Sequence, residues 1–189
     1  MMTPSPDTAA AIRADLAEHP GATLEDAAAR TGTTVAEVLA CLPEGEATLV
    51  PGAAFEEVMA EIARWGEITL VMNTGDVILE AKGPLPEGRV AQGFFNLHGR
   101  PIGGHIRAGA CAQVAFVARS LFGTDTRSVQ FLDARGGVLF KIYLGRDAAR
   151  ALIPTQLAAF DALRARLAQK QMAGTSATSV GMTEAPELP

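Results

Sequence analysis

The sequence predicts an α+β fold: a small N-terminal helical cap, then a curled antiparallel β-sheet (a split-barrel-like meander) with flanking helices and a C-terminal helix. Three observations predict it. Apolar residues keep helical spacing up to Trp65. Between Ile68 and Leu144 they fall in short runs broken by Gly-rich turns. Helical spacing then returns after Pro154.

The elements follow in order. Residues 8–19 are Ala-rich and set Ile12 and Leu16 one turn apart, as in an amphipathic helix. Thr23 can cap a second helix with Asp26 in its first turn, and Gly32 ends it. Thr34 opens a third helix, in which Val35, Val38, Leu39 and Leu42 keep helical spacing until Pro43. Three short helices over residues 8–43 resemble a helix-turn-helix. From Thr33 to Pro43, however, there is no Lys or Arg, and Glu37 is acidic, so the side chains that read base edges and phosphates are missing. The cap is therefore expected to pack or to contact protein.

Pro51-Gly52 marks a boundary, and residues 51–170 form the sheet domain. Phe55, Val58, Met59, Ile62 and Trp65 predict a helix over 54–65, stopped at Gly66. Strands over 68–73 and 77–82 flank Thr74-Gly75-Asp76 as a hairpin. After a loop at Gly83–Gly88, strands are expected at about 91–98, 103–108, 112–119, 127–133 and 138–144. A short helix over Arg146–Leu152 precedes a longer one opened by Pro154, whose apolar stripe is Leu157, Phe160, Leu163 and Leu167. The Thr/Ser/Gly/Pro-rich stretch 172–189 has little to bury and reads as a disordered tail.

Bulk composition narrows the function. At 189 residues and 48% hydrophobic content there is room for one full core and a small appendage. A net charge of −5 argues against nucleic acid as partner, because phosphate neutralisation needs clustered cations. Cys41 and Cys111 lie far apart with no CxxC pattern, which argues against a disulfide framework or zinc site and fits a reducing compartment. No N-terminal stretch reads as a signal peptide and no apolar run approaches ~20 residues. A cytoplasmic location without membrane insertion is expected.

Enzyme signatures are missing: there is no GxGxxG after a strand, no P-loop, no HExxH and no GxSxG. Asp76, Glu80, Asp125 and Asp133 are scattered over turns and strand ends, and nothing pairs them. The chain has three histidines, His19, His98 and His105, too few for a convergent mononuclear metal cage. Haem is different, since the porphyrin supplies four ligands and the protein adds only one or two axial groups and an apolar slot. The stretch Gly93-Phe94-Phe95-Asn96-Leu97-His98-Gly99-Arg100-Pro101-Ile102-Gly103-Gly104-His105-Ile106-Arg107 carries the candidates. His105 follows two glycines, where bare backbone lets a planar ligand approach. By strand parity Phe94, Asn96 and His98 share one face, and Phe95 and Leu97 the other. Met72 shares a face with Leu70 and is a soft second axial candidate. Arg100, Arg107 and Lys82 are candidates for the propionates. His98 reads as a solvated turn residue and Cys111 as a small buried hydrophobe, while Cys41 has no haem role.

Six short blocks carry a family resemblance: Val50-Pro51-Gly52, Trp65-Gly66, Asp76-Val77-Ile78-Leu79-Glu80, Gly93-Phe94-Phe95-Asn96-Leu97, Gly104-His105-Ile106 and Leu144-Gly145-Arg146-Asp147. In this order and spacing the chain, from about Thr23 to Leu167, resembles the HutX/ChuX family of intracellular haem-utilisation carriers. The resemblance implies a homodimer whose antiparallel sheets join into a saddle. It also implies a cytosolic carrier that accepts imported haem (iron protoporphyrin IX) and hands it to a haem-degrading or haem-using enzyme. The family's Gly-His-Ile histidine falls on His105. A second family histidine falls on Met72, and the tyrosine that some relatives use as ligand falls on Phe94, which has no oxygen to offer. The expected site is either five-coordinate through His105 or a His105/Met72 pair, within one chain or across a dimer. The alternative function is haem degradation in the manner of the larger two-repeat relatives.

Overall fold

The first helix starts where its orphan N–H groups find a partner. The Ser5 hydroxyl accepts from the Thr8 N–H and Pro6 sits in the first turn of α1 (Pro6–Glu18). Thr23 caps α2 (Leu24–Thr31) through the Asp26 N–H, and Thr34 and Glu37 make a reciprocal capping box on α3 (Val35–Ala40). The computed structural model describes residues 3–179 of the chain. After the cap come β1 (Ala47–Pro51), a 3₁₀ turn and α4 (Phe55–Ile62). Next are β2 (Glu67–Asn73), β3 (Ile78–Pro84), β4 (Gly88–Ala91), β5 (Phe94–Leu97) and β6 (Gly104–Arg107). The described residues end with β7 (Gln113–Leu121), β8 (Thr124–Leu132), β9 (Val138–Tyr143) and α5 (Pro154–Ser179).

The α+β class stands, and the strands divide into two antiparallel sheets. One has six strands in the order β1-β7-β8-β9-β2-β3, open rather than closed into a barrel; the other has three in the order β4-β5-β6. Alternation along β7 shows how the layers form. Val114 and Phe116 face a core shared with Ile62, Trp65, Phe131, Ile142, Phe160 and Leu163. Ala115 and Val117 face Ile12, Leu24, Val38 and Leu39 of the cap. The cap thus covers one face of the large sheet, and α4, α5 and the small sheet cover the other. Buried Gln156 on α5 joins these parts: its Nε2 donates to the Trp65 and Glu67 carbonyls, and its Oε1 accepts from the Gly145 N–H.

One strand was not anticipated, and three local expectations are corrected. Ala47–Pro51 is a strand, because it pairs with Gln113–Val117 more than sixty residues later in the chain. Residues 91–98 are not one strand: Gln92 and Gly93, at φ 53° and 79°, form a two-residue turn that splits β4 from β5. Arg146–Leu152 is not a helix. The Asp147 carboxylate accepts from the Ala149 and Ala151 N–H groups, which closes a loop, and Arg146 bridges to Leu152. Finally, α5 runs through 172–179, which the sequence assigned to the tail, because a docked helix propagates with one added bond per residue. The rest of the expected tail, 180–189, lies outside the described residues.

The cap also meets the large sheet through polar groups. Lys141 Nζ donates to Glu25 at 2.6 Å, and Arg119 donates to the Pro20 and Ala22 carbonyls. Beside them is Phe122, at the tip of the β7–β8 hairpin, 76% exposed and held at φ 48°. A β-carbon in that region costs about 1 kcal/mol or more, while Asn tolerates it. Phe122→Asn is expected to raise the melting temperature by roughly 2–4 °C; an unchanged or lower value in a thermal melt would mean that the exposed ring contributes packing.

Candidate functional site

The small sheet aims the candidate residues outward because its other face is anchored. Phe95 packs edge-on against Phe55 at 5.1 Å between centroids, and Phe55 meets Phe131 at 5.5 Å. Phe95 and Leu97 are buried, so the alternate residues Phe94 and Asn96 must face away from the core. The β5–β6 register then sets Asn96 opposite His105 and Phe94 opposite Arg107.

These four side chains form one cluster. His105 is exposed, and its Nδ1 lies 2.6 Å from Asn96 Oδ1. The Phe94 ring stands edge-on to the imidazole at 6.3 Å, and the Arg107 guanidinium lies over Phe94 at 5.4 Å from its centroid. A β-carbon added at Gly104 would meet nothing within 4 Å, so the backbone before His105 is bare on that side. The result is an open platform with an imidazole, an aromatic wall and a cation, suited to a flat ligand that bears carboxylates.

The other expected residues lie elsewhere. Met72 is on β2 of the large sheet, opposite Leu79 on β3, and is not part of the cluster. Arg100 is exposed in the loop between β5 and β6, at the end of the pair remote from Arg107. Lys82 pairs with Thr69 and faces a different hollow. His98 lies exposed just past β5, in the loop that leads to β6. Asn96 is the residue that sequence reading passed over as a site component. Its signal was there, as a polar residue of low strand propensity in parity with Phe94.

That other hollow measures about 530 Å³ and lies on the large sheet beside the cap, where Val71, Ile78, Phe122 and Tyr143 line it. It holds no imidazole. Tyr143, the only tyrosine in the chain, has its phenol pushed up to about 12 by burial and by the nearby Glu25 and Glu80 carboxylates. It stays protonated at neutral pH and is a poor phenolate donor for iron. Cys111 is likewise pushed up to about 11 by burial, which makes it an inert buried thiol. Among the described residues no group of three or more His, Cys, Asp or Glu converges on a metal position, and no helix is long and apolar enough to cross a membrane.

Known proteins share this arrangement of elements. A family model described as haem utilisation ChuX/HutX matches residues 48–163. The intracellular heme transport protein HutX of Vibrio cholerae serotype O1 is 35% identical over 139 residues, 72% of each chain. A protein of solved structure from Erwinia carotovora is 44% identical with a TM-score of 0.79, over 82% of this chain and 98% of that one. The heme-binding protein ChuX follows at 40% identity and TM-score 0.76, over 82% and 98%. The heme-binding protein PhuS of Pseudomonas aeruginosa, at 14% identity and TM-score 0.68, shares the fold over 48% of its own length.

Proposed function

Because the chain belongs to the ChuX/HutX family of haem-utilisation proteins, we propose that it binds iron protoporphyrin IX in the cytoplasm and, as a homodimer, passes it to a haem-degrading or haem-using enzyme. The observation that carries this reading is the exposed His105 on its platform beside Phe94 and Arg107. In this reading His105 is the single axial ligand from the chain. Phe94 packs against the macrocycle, and Arg107, with Arg100 farther along the loop, meets the propionates. Haem held on an open face keeps an edge accessible, so an acceptor can engage it before the iron–imidazole bond breaks. That suits transfer better than catalysis, which gains from excluding water.

Titrating purified protein with hemin at the Soret band tests the binding, and mixing the loaded protein with apomyoglobin tests the transfer. Saturation at one haem per chain followed by near-complete transfer is expected. Absence of saturable binding would sink the carrier reading. Loss of haem with reductant and oxygen would favour the degrading alternative.

The dimer reading rests on the β2–β3 hairpin. Ile78 and Leu79 are each 61% exposed and Met72 is 44% exposed, at the open edge of the large sheet. An apolar free edge invites strand pairing with another chain. Leu79→Lys is expected to shift the protein from dimer to monomer in sedimentation velocity, and an unchanged dimer would place the interface elsewhere.

A further inference from the structure

We propose that Asn96 is a positioning residue that holds neutral His105 in its Nδ1–H form, with the Nε2 lone pair turned outward for iron. The consequence for haem rests on the carrier reading, while the tautomer itself follows from hydrogen-bond geometry alone.

The orientation of the Asn96 amide is determined by its surroundings. Its Nδ2 donates to the Phe94 carbonyl at 2.8 Å and the Ala91 carbonyl at 3.0 Å, with the Arg89 carbonyl at 3.4 Å. Carbonyl oxygens only accept. Turning the amide over would set its oxygen against three carbonyl oxygens with no proton of its own to share with them. The NH₂ group therefore faces the β4–β5 turn, and Oδ1 faces His105 Nδ1 at 2.6 Å. An amide oxygen has no proton to give, so Nδ1 must supply it. A neutral imidazole carries one ring proton, and Nε2 is left bare. Free histidine prefers the opposite form, with the proton on Nε2, so this arrangement is imposed by the protein.

The same contacts orient the ring. Asn96 and His105 are cross-strand partners, and the Phe94 ring stands at 72° to the imidazole. A shift of one residue in the β5–β6 register would turn Asn96 into the core and remove the acceptor. The tight turn at Gln92–Gly93 thus acts on the ligand through Asn96, since the carbonyls that grip the amide lie on both sides of that turn. Partners of this kind fix tautomer and raise ligand basicity. A carboxylate in place of the amide would hold the Nδ1 proton more strongly.

The test begins on the haem-free protein with ¹⁵N-labelled histidine at about pH 8, above the ordinary histidine range. Long-range ¹H–¹⁵N correlation spectra report which ring nitrogen bears the proton. His105 is expected as Nδ1–H in the unsubstituted protein, mainly Nε2–H in Asn96→Leu, and Nδ1–H again in Asn96→Asp. Both variants lose the amide donor to the turn, and only Asp keeps an acceptor, so their difference isolates the bond to His105. Hemin affinity is expected to fall about 10- to 100-fold in Asn96→Leu, and transfer to apomyoglobin to slow in Asn96→Asp. An Nε2–H tautomer in the unsubstituted protein overturns the proposal without needing any variant. So does an Nδ1–H form that persists in Asn96→Leu. If the tautomer follows Asn96 but His105→Ala binds hemin normally, the Asn96 assignment stands and the ligand reading falls.

Discussion

Replacing His105 with Ala is expected to weaken hemin binding about a hundredfold, equivalent to roughly 3 kcal/mol, and to replace the spectrum of imidazole-bound haem with that of a loosely held one. The loss is large because neither other histidine belongs to the cluster: His98 lies in the loop beyond β5, and His19 ends α1 beside Asp15. It is not complete, because the macrocycle still removes apolar surface from water against Phe94. Adding free imidazole to His105→Gly should restore the spectrum, which a merely structural role for the histidine would not allow. Met72→Ala is expected to leave the spectrum unchanged, since Met72 sits in the other sheet opposite Leu79. An altered spin state in that variant would revive the two-ligand site, and unchanged affinity in His105→Ala would remove the histidine from the site.

The second large effect is on stability. Glu25→Ala is expected to destabilise the protein by about 2–3 kcal/mol, read as a fall of roughly 5–10 °C in melting temperature. Lys141 lies on β9 with only 6% of its side chain exposed, and its Nζ donates to Glu25 at 2.6 Å. Ser128 and Gln130 are buried in the neighbouring strand, and Gln130 Oε1 is without a hydrogen-bond partner in the structure. Removing the carboxylate leaves a largely buried ammonium without its counter-charge. The lower end of the usual range applies because Glu25 keeps 21% of its side chain exposed. Lys141→Met should cost less, since the Glu25 carboxylate left behind sits at the N-terminal end of α2. The double variant should recover most of the loss, and strict additivity of the two single effects would show that the pair is not coupled. Hemin binding should survive in all three, because the cap covers the large sheet on the face away from the small one.

Local signals were legible in the sequence. Thr23 and Thr34 cap their helices through short side-chain bonds that depend on residues three positions away. Parity along Phe94–Leu97 correctly set Phe94 and Asn96 on one face and Phe95 and Leu97 on the other, because alternation is a property of the strand itself. What depends on distant partners was not legible. β1 is five residues long, and its ladder partner follows more than sixty positions later. Residues 146–152 have helix-forming composition, yet the Asp147 carboxylate captures two backbone N–H groups and closes a loop instead. Asn96 looked like a neutral strand residue until the β5–β6 register placed His105 beside it.

By itself, then, the sequence determined the succession from helical cap to sheet to C-terminal helix, the alternation along β5 and the one histidine that follows two glycines, since all of these follow from spacing within a few residues. Only the tertiary structure decided that the strands form two sheets, that Met72 and His105 belong to different ones, and that His105 has Asn96 as its partner. The physical reason is that strand pairing is a contact between remote segments. Each strand leaves its N–H and C=O groups unsatisfied until a partner arrives, and the partner is chosen by packing of the whole chain.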